Sequence, residues 1–363
     1  MRKESRVLVA LLAIPLWAQQ TPPLPPARWH DVRELSVEGQ GWKETKHPFD
    51  RLPAKAEGVV RPPVWSLSQD SAGLSARFIT NAAWIRARWK VRKERLAMPH
   101  MPATGVSGLD LYVRDKRGWR WLAAGRPEDS VSNDRMLVRG LTGERREYQL
   151  YFPLYNGIDS LEIGLPPDAA FERAPASSRK PVVYYGTSIL QGGCASRPGM
   201  AYPAMISRRL DWPQVNLGFS GNGRSEPEMA ALLAELDPAA YVLDSLPNLT
   251  AKEAAERVEP FIRTLRQAHP RTPIVLVENV IYSESDFVET RRQRWTECNA
   301  VLRGIYEKLR KAGDRNLHYV PAGHLLGDDG DGTVDGTHPT DLGFLRMSEV
   351  IGKALKPVLA AQR

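Results

Sequence analysis

Ser188 stands in the segment Tyr185-Gly186-Thr187-Ser188-Ile189, which closes a short apolar run and leads into Gln191-Gly192-Gly193. A serine just past a strand, flanked by glycines and entering a helix, presents its hydroxyl to the crevice at the end of a sheet. That is a place for a nucleophile. It equally suits a serine that only caps the helix. Near the other end of the chain, Asp335-Gly336-Thr337-His338-Pro339 sets a carboxylate three residues before an imidazole. At that spacing the aspartate can fold back onto one ring nitrogen, fix the tautomer and leave the other nitrogen as a general base. None of the histidines at 30, 47, 100, 269, 318 and 324 has such a context, and His30, His47, His100 and His269 read as surface or turn positions.

Two further segments offer hydrogen-bond donors. Asn216 to Gly223 holds glycines at 218, 221 and 223, whose backbone N–H groups can point at an anion. It lacks the Gly-Lys-Ser/Thr ending of a P-loop. In Asp244-Ser245-Leu246-Pro247-Asn248, Pro247 stiffens the backbone ahead of Asn248, whose amide can donate into the same crevice. Asparagine is also common in turns. As a set, these segments hold the parts of acyl transfer: nucleophile, base, base-orienting acid and oxyanion donors. The acidic stretch Gly327 to Gly332 is read as a polar loop rather than a calcium site. An EF-hand count from Asp329 puts Thr333 fifth and finds no glycine at the sixth place. No Cys/His cluster has zinc spacing, and acyl transfer by this set of residues needs neither metal nor organic cofactor, so none is expected.

The elements that must position these residues follow from periodicity. After a Pro/Ser-rich stretch from Pro166 to Lys180, short apolar runs alternate with amphipathic segments. The expected strands are Val182 to Tyr185, Val215 to Phe219, Tyr241 to Leu246, Ile274 to Val280 and Leu317 to Val320. The expected helices are Ala201 to Leu210, Glu226 to Glu235, Ala251 to Ala268, Glu289 to Lys311 and about Leu342 to Leu359. This alternation predicts an α/β domain with a parallel sheet covered on both faces, and ligands outside the carboxyl ends of the strands.

The earlier part of the chain is β-like. Ile85, Ala87, Trp89 and Val91 alternate with Trp84, Arg86, Arg88 and Lys90, a period of two. Gly108 to Val113 and Trp119 to Ala123 flank the turn Asp115 to Gly118 and predict a hairpin. Glu147 to Phe152 and Ser160 to Leu165, around Asn156-Gly157, predict a second strand pair. Seven of the ten tryptophans lie between Trp29 and Trp121. A β-sandwich is expected for this block, with most of the tryptophans in its core, although such rings can also stack on sugars.

The chain of 363 residues is long enough for two cored domains, and 42% hydrophobic with 25% charged residues is ordinary for a folded protein. The net charge of +8 comes from scattered Lys and Arg. Their densest groups, Arg86 to Arg95 and Arg291 to Arg294, lack the motif of a nucleic-acid reader, so no nucleic-acid partner is expected. Arg2, Lys3 and Arg6 precede an apolar run from Val7 to Ala18, too short for a membrane span of ~20 residues but suited to a secretory signal. The expected division is a signal at 1–18, a Pro-rich linker at 19–28, a β-sandwich at 29–170 and an α/β domain at 180–363. The product would be secreted or periplasmic. The two cysteines, Cys194 and Cys298, form no disulfide framework, and their pairing stays open.

The second domain resembles the SGNH, or GDSL-like, hydrolase family. The four family blocks appear in order as Gly186-Thr187-Ser188, Gly221, Pro247-Asn248 and Asp335-Gly336-Thr337-His338. Thr187 replaces the usual aspartate, and Leu-Pro-Asn-Leu replaces Gly-x-Asn-Asp. Ahead of them, Gly108-Leu109-Asp110-Leu111-Tyr112 resembles the GxDLY domain that precedes exported members. The resemblance implies a flavodoxin-like sheet and a serine esterase in which Ser188, Asp335 and His338 are catalytic. It also implies an oxyanion hole from the N–H groups of Ser188 and Gly221 with the Asn248 side chain, and an accessory domain packed on the hydrolase. Asp110, in an alternating strand, reads as structural. An acetylated carbohydrate is the expected substrate. The alternatives are a lipase- or arylesterase-type hydrolase of small or lipid-like esters, and an inactive carbohydrate-binding protein.

Overall fold

Five apolar runs after residue 180 assemble into one parallel sheet. In the computed structural model, which describes residues 24–128 and 130–362, the strands are Val182–Gly186, Gln214–Gly218, Ala240–Asp244, Ile274–Val277 and Leu317–Val320. Numbered by their order along the chain, they lie side by side as second, first, third, fourth and fifth. Every residue of the first four is buried, as parallel strands require when both faces are covered. Alternation along the first strand divides the two faces. Val182 and Tyr184 join the core shared with helices Tyr202–Leu210 and Asp341–Ala360. Val183 and Tyr185 join the core under Pro227–Leu233, Ala251–Ala268 and Glu289–Lys311.

Two of these helices start and stop where the periodicity places them, and the first of that pair shows why. Thr250 caps Ala251–Ala268 through the N–H of Glu253, whose carboxylate returns a bond to the Thr250 N–H. The register sets Gly186 beside both Gly218 and Asp244. The three segments bearing Ser188, Gly221 and Asn248 therefore leave the sheet at the same end, past the carboxyl ends of the strands.

The N-terminal half holds two antiparallel sheets. One is four-stranded, in the order Arg28–Asp31, Ile158–Leu165, Trp84–Val91, Ser132–Arg139. The other is six-stranded, with Phe171–Arg173, Ser75–Thr80, Arg146–Tyr151, Leu109–Asp115 and Gly118–Gly125 in sequence and Ser36–Glu38 beside Ser75–Thr80. One core takes Ile85, Ala87 and Trp89 from the first sheet and Phe78, Leu111 and Leu150 from the second. The hairpin around Asp115 to Gly118 forms as expected.

Two expectations fail here. The strands Arg146–Tyr151 and Ile158–Leu165 do not pair; they belong to different sheets. Asn156 does not make a hairpin turn, because its amide is spent on the Lys93 backbone N–H at 2.9 Å, the Lys93 carbonyl at 3.0 Å and the Ser107 hydroxyl at 3.0 Å. The tryptophans between 29 and 121 are not mostly core either. Trp42 and Trp89 are buried, whereas Trp121 is 52% exposed and Trp29 lies under the guanidinium groups of Arg86 and Arg88. Arginine stacking covers ring faces that a core would otherwise have to bury. Residues 1–18, the expected signal, lie outside the described residues.

Asp110 joins the two halves. Its Oδ1 accepts from Trp121 Nε1 at 2.9 Å, and its Oδ2 accepts from Arg197 Nη1 at 2.8 Å and the Gly199 N–H at 2.9 Å. Arg197 also donates to the Tyr112 hydroxyl at 2.6 Å, and the Arg208 guanidinium lies 3.9 Å from the centre of the Tyr112 ring. Asp110 and Tyr112 of the five-residue motif thus face the α/β half, while Leu109 and Leu111 face the core between the sheets.

Candidate active site

The turn that carries Ser188 is fixed by close packing. A Cβ at Gly186 would stand 2.3 Å from the Asp244 carbonyl oxygen, and one at Gly223 would stand 1.9 Å from the Gly186 carbonyl oxygen. Both positions require glycine, because the segments leaving the three strands lie backbone against backbone. Thr187 is the N-cap of the single helical turn Ser188–Gln191, its hydroxyl accepting from the Ile189 N–H at 3.3 Å. The cap is therefore Thr187 rather than Ser188, so the Ser188 hydroxyl is not used for capping. Ser188 Oγ instead lies 2.8 Å from His338 Nε2.

His338 Nδ1 is 2.7 Å from Asp335 Oδ2, and Asp335 Oδ1 accepts from the N–H groups of His338 at 2.8 Å and Thr337 at 3.1 Å. Partial burial opposes the charge on Asp335, but these bonds from His338 and Thr337 outweigh it and hold the carboxyl below its usual range. The arrangement can pass a proton from the serine hydroxyl to an imidazole whose other nitrogen rests on a carboxylate.

The loop from Thr333 to Pro339 is clamped by residues that carry no sequence signal. Glu284 packs against Gly336, and Arg291 pairs with Glu284 while donating to Thr337 Oγ1 at 2.5 Å. The Ser283 N–H donates to the Gly336 carbonyl at 3.1 Å. Arg291 belongs to the basic group Arg291 to Arg294, for which the sequence offers no motif.

Gly221 sits at the exposed turn of the loop after the second strand, with φ +68°. Gln191 ties that loop to the Ser188 helix by accepting from the Ser220 N–H at 3.0 Å. Asn248 ends the turn Leu246–Asn248 and lays its carboxamide against the same loop. The orientation that matches donors to acceptors has its oxygen accepting from the N–H groups of Asn222 at 3.1 Å and Gly223 at 3.2 Å. All five residues singled out from the sequence are thus on segments that meet at one end of the sheet.

A cavity of about 420 Å³ opens beside His338. Gly193, Ser220 and Asn222 line it from the α/β half, while Leu67, Lys93, Met98 and His100 line it from the N-terminal half. Tyr155, also N-terminal, donates its hydroxyl to the Ser188 carbonyl at 3.3 Å. His100, which reads from sequence as a surface or turn residue, has its ring centre 6.0 Å from that of His338. Arg51 is buried and donates to the carbonyls of Asp70 at 2.8 Å, Asn216 at 3.1 Å and Gly218 at 2.7 Å. Burial lowers its pKa to about 10, so it remains a cation at neutral pH.

Asp244, at the end of the third strand of the parallel sheet, is a buried carboxyl. It accepts from the Tyr202 hydroxyl at 2.9 Å, and burial raises its pKa to about 7 against that single bond. Its ordinary pKa is about 3.9, so between about pH 4 and pH 7 the unfolded chain releases a proton that the folded chain keeps. The stabilising contribution is complete below that window and is lost as pH rises through it. Asp244→Asn, which keeps the acceptor and removes the charge, is expected to flatten the stability–pH curve across the window. The gain at pH 8 is on the order of 4 kcal/mol if the whole shift counts. Denaturant melts of both proteins at pH 5 and pH 8 check this, and equal slopes would contradict it.

Cys194 and Cys298 are buried and unpaired. Asp329 of the acidic loop is held by Arg346, with Oδ1 to Nη1 at 2.8 Å and Oδ2 to Nη2 at 2.6 Å. Among the described residues no group of three or more His, Cys, Asp or Glu is placed to hold a metal ion.

Comparison with known proteins follows the same division. A family model of GDSL-like lipase/acylhydrolases matches residues 179–356, and the GxDLY model, the N-terminus of SGNH-hydrolase-type esterases, matches residues 27–171. A crystal structure described as a GDSL-like lipase from Bacteroides ovatus ATCC 8483 shares 38% identity. The match covers 92% of this chain and 98% of that one, with a TM-score of 0.88. A salicylyl-acyltransferase from a tetracycline biosynthetic pathway shares 20% identity over 93% of this chain and 97% of its own, with a TM-score of 0.70. An acetyl xylan esterase from the rumen bacterium Butyrivibrio proteoclasticus has 12% identity over 92% and 99%, with a TM-score of 0.56. These last two share the fold. No curated protein matches the chain.

Proposed function

From the premise that the chain belongs to the GDSL-like lipase/acylhydrolase family and is an ester hydrolase, we propose that it removes O-acyl groups, chiefly acetyl, from carbohydrate. Ser188 is the nucleophile, His338 the general base and Asp335 the residue that orients it. One observation carries the reading: the relay of 2.8 Å from Ser188 Oγ to His338 Nε2 and 2.7 Å from His338 Nδ1 to Asp335 Oδ2.

His338 takes the Ser188 proton as Oγ attacks the ester carbonyl. Negative charge gathers on the carbonyl oxygen, for which the N–H groups of Ser188 and Gly221 and the amide of Asn248 are the donors. Each such donor is typically worth about 2.7–4 kcal/mol of barrier. The imidazolium, steadied by Asp335, gives its proton to the departing alcohol. Water then attacks the acyl-serine with His338 again as base. Every step uses groups of the chain itself.

The cavity supports a carbohydrate. Lys93, Ser220 and Asn222 offer polar atoms beside the apolar side chains of Met98 and Met101, a mixture suited to a ring with hydroxyl edges and C–H faces. The acetyl xylan esterase that shares the fold is consistent with this choice. The basic, apolar segment from Arg2 to Ala18 supports action outside the cytoplasm.

A second reading rests on a different observation. Phe287 is 92% exposed with Val288 exposed next to it in sequence, and Val334 is exposed one residue before Asp335. Exposed apolar side chains of this kind favour lipid-like acyl esters. An acetate-release screen over acetylated xylan and acetylated sugars, run with p-nitrophenyl esters of increasing chain length, separates the two. The expected result is turnover of the acetylated carbohydrates and rates that fall from acetyl to longer acyl groups. Rising rates with chain length, and no acetate from the carbohydrates, would establish the second reading instead.

A further inference from the structure

We infer that His100, with Lys93 in the same cavity, forms the subsite for the alcohol half of the ester, and that His100 sets the preference for a polyhydroxy alcohol. This rests on the carbohydrate esterase reading. The direction follows from the proton balance. The proton that His338 Nε2 takes from Ser188 goes to the alcohol oxygen as its bond to the acyl carbon breaks, so the alcohol leaves within reach of Nε2. Ser220 and Asn222, the neighbours of Gly221, line the same cavity as His338, so the oxyanion loop and the departing alcohol share this space. The cavity beside the His338 ring is where the alcohol departs, and His100 stands in its wall, 6.0 Å from the His338 ring centre and tilted 51° to it.

The wall is built rather than incidental. Met98 and Met101 exchange two backbone hydrogen bonds, at 2.9 and 3.1 Å, which close the turn that holds His100. Met101 is buried in the core of the α/β half. The helical turn Ala103–Val106 that follows is docked on the segment after Ser188: Thr104 Oγ1 donates to the Ser196 carbonyl at 2.6 Å. The Ser196 N–H donates in turn to Asp341, three residues beyond His338, at 3.0 Å. The turn that carries His100 is therefore fixed relative to both Ser188 and His338.

Lys93 is fixed as well. Its ammonium is paired with the fully buried Asp70 and donates to the Tyr155 carbonyl at 3.2 Å. An ammonium has three N–H groups, so one remains for a ligand, and a neutral imidazole adds a donor and an acceptor. Together they match the edge of a polyol.

The test compares two esters of the same acid, an acetylated xylo-oligosaccharide and p-nitrophenyl acetate, whose alcohol has no hydroxyls to recognise. His100→Ala is expected to lower the ratio of kcat/KM values, saccharide over p-nitrophenyl ester, by about tenfold, mostly through KM. His100→Gln, which retains a donor and an acceptor, is expected to recover part of the ratio. Equal losses on both esters would make His100 a support for His338 and overturn the inference. An unchanged ratio overturns it too, with the carbohydrate reading intact. A wild-type protein that cleaves p-nitrophenyl acetate but no acetylated saccharide would remove that reading and this subsite together.

Discussion

Ser188→Ala is expected to reduce kcat on p-nitrophenyl acetate by about a million-fold, the scale of losing a nucleophile whose partners are otherwise intact. The substitution removes one oxygen from a residue that is 8% exposed, and the Thr187 cap that starts the helical turn is unaffected. The melting temperature should stay within a few degrees, which separates lost chemistry from lost fold. Any remaining rate above that of water would come from the oxyanion donors and from binding. Steady-state assays with a melt on the same preparation decide the matter. A variant within tenfold of wild type would remove Ser188 from the mechanism.

Asp335→Asn is expected to cost about ten-thousand-fold in kcat. Asp335 does two jobs with separate oxygens. Oδ1 accepts two backbone N–H groups and shapes the loop, while Oδ2 holds His338 Nδ1 at 2.7 Å. An asparagine can keep the first job with its oxygen, but then offers NH2 to Nδ1. The ring must answer with a lone pair on Nδ1 and carry its hydrogen on Nε2, where it can no longer accept the serine proton. The fold should survive while the base has the wrong tautomer. If the variant retained more than a tenth of wild-type kcat, Asp335 would be a loop residue and the orienting acid would have to be sought elsewhere.

The sequence made the proposed site legible because its residues sit at strand ends or close together along the chain. Ser188, Gly221 and Asn248 each follow an apolar run, and Asp335 and His338 are close enough along the chain to be recognised as a pair. The glycines at 186 and 223 were visible as letters, but the distances that demand them appear only in three dimensions. The cavity wall was not legible. Lys93, His100 and Tyr155 lie in irregular segments with no period, and tertiary packing alone brings them to His338. Arg51 was hidden for another reason. Its partners are main-chain carbonyls, some more than 160 positions away, and a backbone acceptor leaves no trace in a sequence. The misread strand pair around Asn156 shows the converse, since a turn-forming dipeptide can be recruited to join two sheets.

The cavity has a consequence for how such a protein changes over time. In the mechanism proposed above, proton transfer and oxyanion binding use residues after position 185, whereas Leu67, Lys93, Met98 and His100 in the cavity wall come from the other half of the chain. Mutations between about 63 and 101 can therefore retune which alcohol is accepted while leaving the acyl chemistry untouched. The freedom to drift toward new esters belongs to those cavity-wall positions alone, since Arg51, Asp110 and Tyr155 of the same half are bonded into the α/β half and must stay as they are.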